Sequence, residues 1–259
     1  MIIEELKKDT IINLIKSGQR IDGRGFYDYR EIKIEKDVLS SAEGSARVKL
    51  GNTQVLVGVK VDLSVPYPEK PNEGTLSVNA ELLPLASPTF EVGPPNEDAI
   101  ELARIVDRGI RSSEAIDLKS LYIEEEKVWG IYVDIYILDH DGNLIDASAI
   151  ASIAALQNLK IPTYEDGKVI REKYTKIMLR EIPYYFTFAK IADKIILDPN
   201  QSEEIASSSR FTISLGEMIY AIQKGGSGSF KKREIYDMID IAVEKKKEFE
   251  KKFESILKW

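Results

Sequence analysis

The chain contains no cysteine, only one histidine, and no excess of basic residues. Without cysteine there are no disulfides, no thiolate nucleophile and no Cys-ligated zinc. The single histidine, His140, excludes a two-histidine metal site. It stands in a turn and is expected to be exposed. No apolar stretch approaches the roughly 20 residues of a membrane helix. The start, MIIEELKKDT, is charged and lacks the apolar core of a signal peptide. These features point to a soluble, cytoplasmic protein with no membrane contact. Lys and Arg number 36 against 43 Asp and Glu, a net charge of −7. Broad positive potential for coating a nucleic acid is therefore missing, although a few well-placed arginines can still hold a few phosphates.

What remains is ordinary globular material: 259 residues, 43% hydrophobic and 31% charged, enough for one large or two modest domains. Residues 3 to 16 carry Ile3, Leu6, Ile11, Leu14 and Ile15 at helical spacing, ended by Gly18. The period then shifts to two. EIKIEKD alternates, ARVKLGNTQVLVGVKVDL reads as a hairpin turning at Gly51-Asn52, and TLSVNAELL is another strand. Pro-rich connections follow at SVPYPEKPNEG and PLASPTFEVGPPNED. A helix is expected over 97–113 with Asn96 as its N-cap. Strands at 121–125 and 128–138 lead through DHDGN to a small-residue helix over 147–158. Residues 161–182 are polar and irregular and are taken as a linker. It divides an N-terminal domain, 1–160, from a C-terminal one, 183–259. The second half reads as a hairpin at YYFTFAKIADKIILDP, strands RFTISL and EMIYAIQ, and a helix over 231–257. Ile235, Met238, Ile239, Ala242, Val243 and Phe249 share one face of that helix.

The stretch ELARIVDRGIR concentrates three arginines in an acidic chain. At about 100° per residue, Leu102, Ile105, Val106, Gly109 and Ile110 form one stripe, and Arg104, Arg108 and Arg111 cluster within roughly 60° on the other side. One outcome is a solvated face with Glu101–Arg104 and Asp107–Arg111 pairs. The other is a phosphate track. Positions i and i+4 stand about 6 Å apart along the axis, comparable to neighbouring phosphates of a single strand. Guanidinium forks suit phosphate oxygens.

Two other stretches invite chemistry. DHDGN lacks the EF-hand spacing of Gly and Glu and reads as an Asp-Gly hairpin turn. GGSGS lacks the P-loop frame and reads as a flexible connector.

Residues 20–24, Arg-Ile-Asp-Gly-Arg, followed by Arg30-Glu31-Ile32 and meandering strands, resemble the opening of RNase PH-type proteins. ELARIVDRGIR, VWGIYVDIYILDHDGNLIDASAIASIAAL and IQKGGSGSF continue the resemblance in order. The combination is similar to the larger, non-catalytic RNase PH-like branch of the archaeal exosome ring. The resemblance implies an α/β (α+β) RNase PH-like fold of two βαβ-type subdomains, with helices packed on mixed sheets. It implies three partners: a catalytic RNase PH-like subunit in a trimer of heterodimers, RNA-binding cap proteins, and single-stranded RNA. No cofactor or metal is expected. By the residues alone, Arg20, Asp22 and Arg24 make a local salt-bridged turn, a structural feature available to pack against a neighbouring subunit.

RNase PH-type enzymes remove the last nucleotide of RNA by phosphate attack, which needs a phosphate cradle and acids. Against active members, the Gly-Ser-Arg cradle aligns with Asn143, Leu144 and Ile145, the latter two reading as inward strand residues. Of the paired acids, Glu204 matches the first and Arg210 falls at the second. Loss of both halves implies no catalytic residue here, with Arg104, Arg108 and Arg111 binding RNA for a catalytic partner. Two alternatives stay open: a phosphorolytic exoribonuclease using Glu204 and Asp198, and a purely structural ring subunit.

Overall fold

The computed structural model describes residues 2–252, with side chains from Lys7 onward. Two sheets and two layers of helix alternate. The first sheet holds β1 (Ile32–Lys36), β2 (Gly44–Leu50), β3 (Thr53–Ser64), β4 (Thr75–Leu82), β5 (Tyr122–Glu124) and β6 (Lys127–Asp139). Its order is β1-β2-β3-β6-β4, and β5 pairs with β6. All neighbours are antiparallel except β4 and β6, so the sheet is mixed. A parallel pair needs a crossover, and α2 (Glu97–Ser112) supplies it between β4 and β6. The expected hairpin forms between β2 and β3, with Gly51 at φ +58° in the turn. In β3 the alternate residues Val55, Val57, Val59 and Val61 are all buried, as a strand covered on one face requires.

The second sheet is antiparallel, in the order β10-β9-β11-β12: β9 (Tyr184–Ile191), β10 (Lys194–Leu197), β11 (Ser209–Leu215) and β12 (Ile219–Gly225). α2 and α3 (Leu144–Leu156) lie between the sheets. α2 packs on β4 and β12, while α3 packs on β2, β3 and β9. A helix covered on every side must be apolar on every side, and α3 is buried along nearly its whole length. Its small residues permit close contact: a Cβ on Gly44 of β2 would stand 2.5 Å from the Ala155 carbonyl oxygen. α5 (Lys232–Lys252) lies on the far face of the second sheet, with Phe249 against Phe186 and Glu234 against Lys190, while α1 (Ile2–Lys16) and α4 (Gln201–Ala206) pack on the face that α2 and α3 share. Ile11 and Ile15 of α1 pack with Ala189, Ile191, Ile196 and Ala206, so the N-terminal helix belongs to the core of the second half. The main core is continuous from Ile32 to Phe249.

Several expectations need correction. Residues taken as irregular linker form a two-stranded hairpin, β7 (Lys160–Glu165) with β8 (Lys168–Lys176). Its outer strand is almost wholly exposed and polar, which erases the apolar alternation that marks a strand. α4 went unread because six residues carry no helical period, although an Asn200–Glu203 capping box announces it. α3 begins at Leu144, three residues earlier than expected, so Leu144 and Ile145 are first-turn helical residues and not strand. DHDGN joins β6 to α3 and is not a hairpin turn. On α5, Met238, Ala242 and Phe249 are buried but Val243 is exposed. The expected continuation to 257, like the side chains of Ile3 and Leu6, lies outside the described residues.

Gly109 is where α2 meets the second sheet: a Cβ there would fall 1.9 Å from the Tyr185 hydroxyl oxygen. Gly109→Ala should therefore destabilise the fold by about 1–3 kcal/mol, measured by chemical denaturation. A stability equal to the parent would mean that α2 is not seated against Tyr185.

Candidate nucleic-acid interface and an adjoining polar pocket

Asn96 caps α2, its side chain accepting the Ala99 N–H at 3.0 Å, and Glu97 and Asp98 sit in the first turn where the helix dipole favours them. The buried stripe runs through Leu102, Ile105, Val106, Gly109 and Ile110. The Tyr185 hydroxyl donates to the Val106 carbonyl at 2.7 Å and fixes the helix against β9. That docking turns Arg104 and Arg108 towards a groove of about 370 Å³ between α2 and β12, shared with Thr212, Ser214 and Gln223.

The three arginines differ in their surroundings. Arg111 forks onto Asp107, with contacts of 2.6 and 3.1 Å, and donates through Nη2 to the Leu76 carbonyl at 3.0 Å. The expected Glu101–Arg104 pair does not form. Glu101 instead accepts from Arg210 of β11 at 2.7 Å. Among the described residues, Arg104 and Arg108 make no ion pair and no side-chain hydrogen bond, and both are exposed. Their helix therefore presents two free guanidinium groups one turn apart.

A second cavity, of about 360 Å³, lies on the other side of the Glu101–Arg210 pair, bounded by His140, Asn143, Ile145 and Glu204. Asn143 holds φ at +53°, a conformation Asn tolerates better than most residues, and caps α3. Its N–H donates to Glu204 Oε1 at 2.8 Å. Burial raises the Glu204 carboxyl to about 7, although the Asn143 N–H and the charges of Arg210 and Arg30 pull against it. Arg210 stands where a second acid was sought, and its guanidinium is bound to Glu101. Ile145, at the sought cradle position, is buried in the core. His140 is half-buried rather than exposed. It stacks on Phe90 at 5.3 Å, and burial lowers its pKa. GGSGS is also no loose connector. The Gly228 N–H donates to the Ser208 carbonyl at 2.8 Å, and a Cβ on Gly226 would crowd the same oxygen.

Below this pocket lies a buried polar lattice that joins residues 20–30 to residues 198–203. Arg20, 3% exposed, forks onto Glu203 with contacts of 2.6 and 2.8 Å and donates to the carbonyls of Leu197 and Asp198. Asp198 is fully buried and meets Arg30 at 2.7 Å, Arg24 at 2.9 Å and the Asn143 amide at 2.8 Å. Burial pushes the Asp198 carboxyl up, but the hydrogen bonds and charge of Arg30, with the charge of Arg24, hold it below its ordinary value. Asp146 accepts from Tyr29, Asn143 and Thr187, and burial still raises it to about 6. The Arg-Ile-Asp-Gly-Arg stretch is thus only partly a local turn. Asp22 pairs with Arg24, but Arg20 and Arg30 reach across the chain to Glu203 and Asp198. The sequence singled out these arginines and Asp198, but no local pattern matches Arg20 to a carboxylate 183 residues away. Among the described residues, no group of three or more His, Asp or Glu is placed to hold a metal, and no helix is long and apolar enough to cross a membrane.

Removing Arg20 strands the Glu203 charge in the interior. Arg20→Met should cost about 3–5 kcal/mol in urea unfolding, and a loss below 1 kcal/mol would argue against the buried pair. Glu204, ordinarily near 4.5, keeps its proton in the folded chain up to about pH 7. The folded state then binds more protons than the unfolded one, so stability falls as pH rises across that window. Glu204→Gln should flatten much of that slope, leaving the part due to Asp146, and should exceed the parent in stability at pH 8. A slope identical to the parent would show that this carboxyl is not enclosed.

Residues 28–162 match the 3′ exoribonuclease family, domain 1, and residues 181–245 match its domain 2. The exosome complex component Rrp42 of Thermococcus gammatolerans is 48% identical over 258 residues, covering 96% of this chain and 94% of that protein. That of Methanopyrus kandleri is 46% identical over 254 residues, covering 95% of each. A solved Archaeoglobus fulgidus exosome with RNA bound to the active site contains a chain 44% identical, with TM-score 0.92 and coverage of 98% of this chain and 100% of that one. Rice Rrp46, at 18% identity and TM-score 0.71 with 93% and 100% covered, shares the fold. The chain belongs to the RNase PH-like 3′ exoribonuclease family, carries both of its domains, and has the archaeal Rrp42 exosome components among its relatives.

Proposed function

We propose that this chain is a non-catalytic ring subunit of an exosome that grips RNA while an RNase PH-like partner cleaves it by phosphorolysis. The carrying observation is the pair Arg104 and Arg108: exposed, one helical turn apart, and free of partners among the described residues. Guanidinium groups so placed meet successive phosphates of a single strand. Arg111 extends the track with its remaining Nη1, since Nε and Nη2 are committed to Asp107 and Leu76. The names of the relatives, exosome components and an exosome with bound RNA, support the assembly. The proposal takes in a trimer of heterodimers with the catalytic partner, RNA-binding cap proteins on one face, and action in the cytoplasm. The division into domains at 1–160 and 183–259 belongs to this proposal.

Non-catalysis is supported by chemistry. Asp198 is enclosed by Arg24 and Arg30, Ile145 offers no charge to phosphate, and Arg210 stands where an acid is needed. The rival, an exoribonuclease in its own right, draws on Glu204 titrating near neutrality beside a cavity. Its second acid, Asp198, has no path to a substrate.

Arg104→Glu with Arg108→Glu should lower RNA affinity of the assembled complex roughly tenfold or more at low salt and leave the ring intact by gel filtration. The salt slope should drop by about 0.7 per lost phosphate contact. Unchanged affinity and slope would refute RNA binding by this helix. The purified chain alone, given phosphate and labelled RNA, should release no nucleoside diphosphate, and release would favour the rival.

A further inference from the structure

We infer that Arg210 is a positioning residue for RNA. By holding Glu101 across the cleft, it keeps Arg104 unquenched; this rests on the RNA-binding function proposed above. Two carboxylates on α2 stand three residues from Arg104: Glu101 before it and Asp107 after it. Either spacing brings an acid and a base together on a helix surface. Both acids are engaged elsewhere. Asp107 is forked by Arg111, and Glu101 is bound at 2.7 Å by Arg210 from β11. Arg108 has Arg104, Ile105, Arg111 and Ser112 at the corresponding spacings and no acid.

The hold on Glu101 is built into the sheet. Arg210 lies opposite Gly225 in the β11–β12 register, and a Cβ at 225 would fall 2.9 Å from Nη2, 3.2 Å from Cζ and 3.3 Å from Nε. The guanidinium therefore lies flat over the one residue type that leaves room for it. Its Nε is buried with no partner, and among the described residues Glu101 is the one side-chain hydrogen-bond partner of this guanidinium. The pair stands between the two cavities, with Glu101 and Ile105 lining both. If Arg210 withdraws, Glu101 is released to Arg104 on the helix, and the phosphate contact of Arg104 weakens. This is a structural role for a charge that cannot serve the chemistry.

A double-mutant cycle on the assembled complex tests it, read by titration of labelled single-stranded RNA. Arg210→Gln should weaken binding roughly two- to fivefold at low salt, the range of an exposed helix ion pair. Gly225→Ala, which leaves the net charge unaltered and displaces the guanidinium, should weaken it in the same direction. In a Glu101→Gln background neither change should matter, because no carboxylate is left to quench Arg104. Equal losses with and without Glu101 would overturn the inference, since Arg210 would then act on RNA directly, and so would no loss in Gly225→Ala. The Arg104→Glu, Arg108→Glu protein is the control. If it binds RNA like the parent, the RNA-binding function itself fails; if it binds poorly while Arg210→Gln binds normally, only the role of Arg210 fails.

Discussion

Asp198 and Glu203, buried with no exposure and answered by Arg20, Arg24 and Arg30, tie the structure together. Charges taken out of water are tolerated only when paired and hydrogen-bonded, and removing either partner strands the other. The five residues therefore constrain one another across more than 160 positions of chain. The lattice draws the segment after α1 onto the loop that ends β10. Through the Asn143 amide it reaches Asp146 and the start of α3. Glu203 serves twice, accepting the Arg20 fork and closing the capping box of α4.

Everything around the two cavities follows from that frame. Asp198 and Asp146 set Asn143 in its left-handed conformation. Asn143 starts α3 and offers its N–H to Glu204. The Thr187 hydroxyl carries the network from Asp146 into the second sheet, where it meets Thr212 at 2.9 Å. Two residues before Thr187 on β9, Tyr185 seats α2. A carboxylate needed for proton transfer must be free to meet a substrate, whereas one that clamps three segments must not be. Asp198 has been given wholly to the second task. The charge pattern of α2 follows the same division: Glu101 and Asp107 are held by Arg210 and Arg111, which leaves Arg104 and Arg108 without an ion pair among the described residues.

Much of this was legible in the residues. Period-two alternation marked β1, β3 and β4, the Gly51-Asn52 pair marked a hairpin, and the stripe from Leu102 to Ile110 oriented α2 with its arginines outward. The β7–β8 hairpin was not legible, because an exposed strand has no burial to impose a pattern on it. Nor was the exposure of Val243, which shows that a helical face is only as apolar as its partner requires.

By itself, then, the order of residues determined the half-buried strands, the long amphipathic helices, the family resemblance and the clustering of Arg104, Arg108 and Arg111. These are local or periodic properties, written within a few turns of chain. Only the tertiary structure decided which acid answers which base. Glu101 and Arg104 are three residues apart yet separate, while Arg20 and Glu203, 183 apart, are joined. Ion pairing depends on distance and desolvation in space, and both are set by how the sheets close on α2 and α3 rather than by position along the chain.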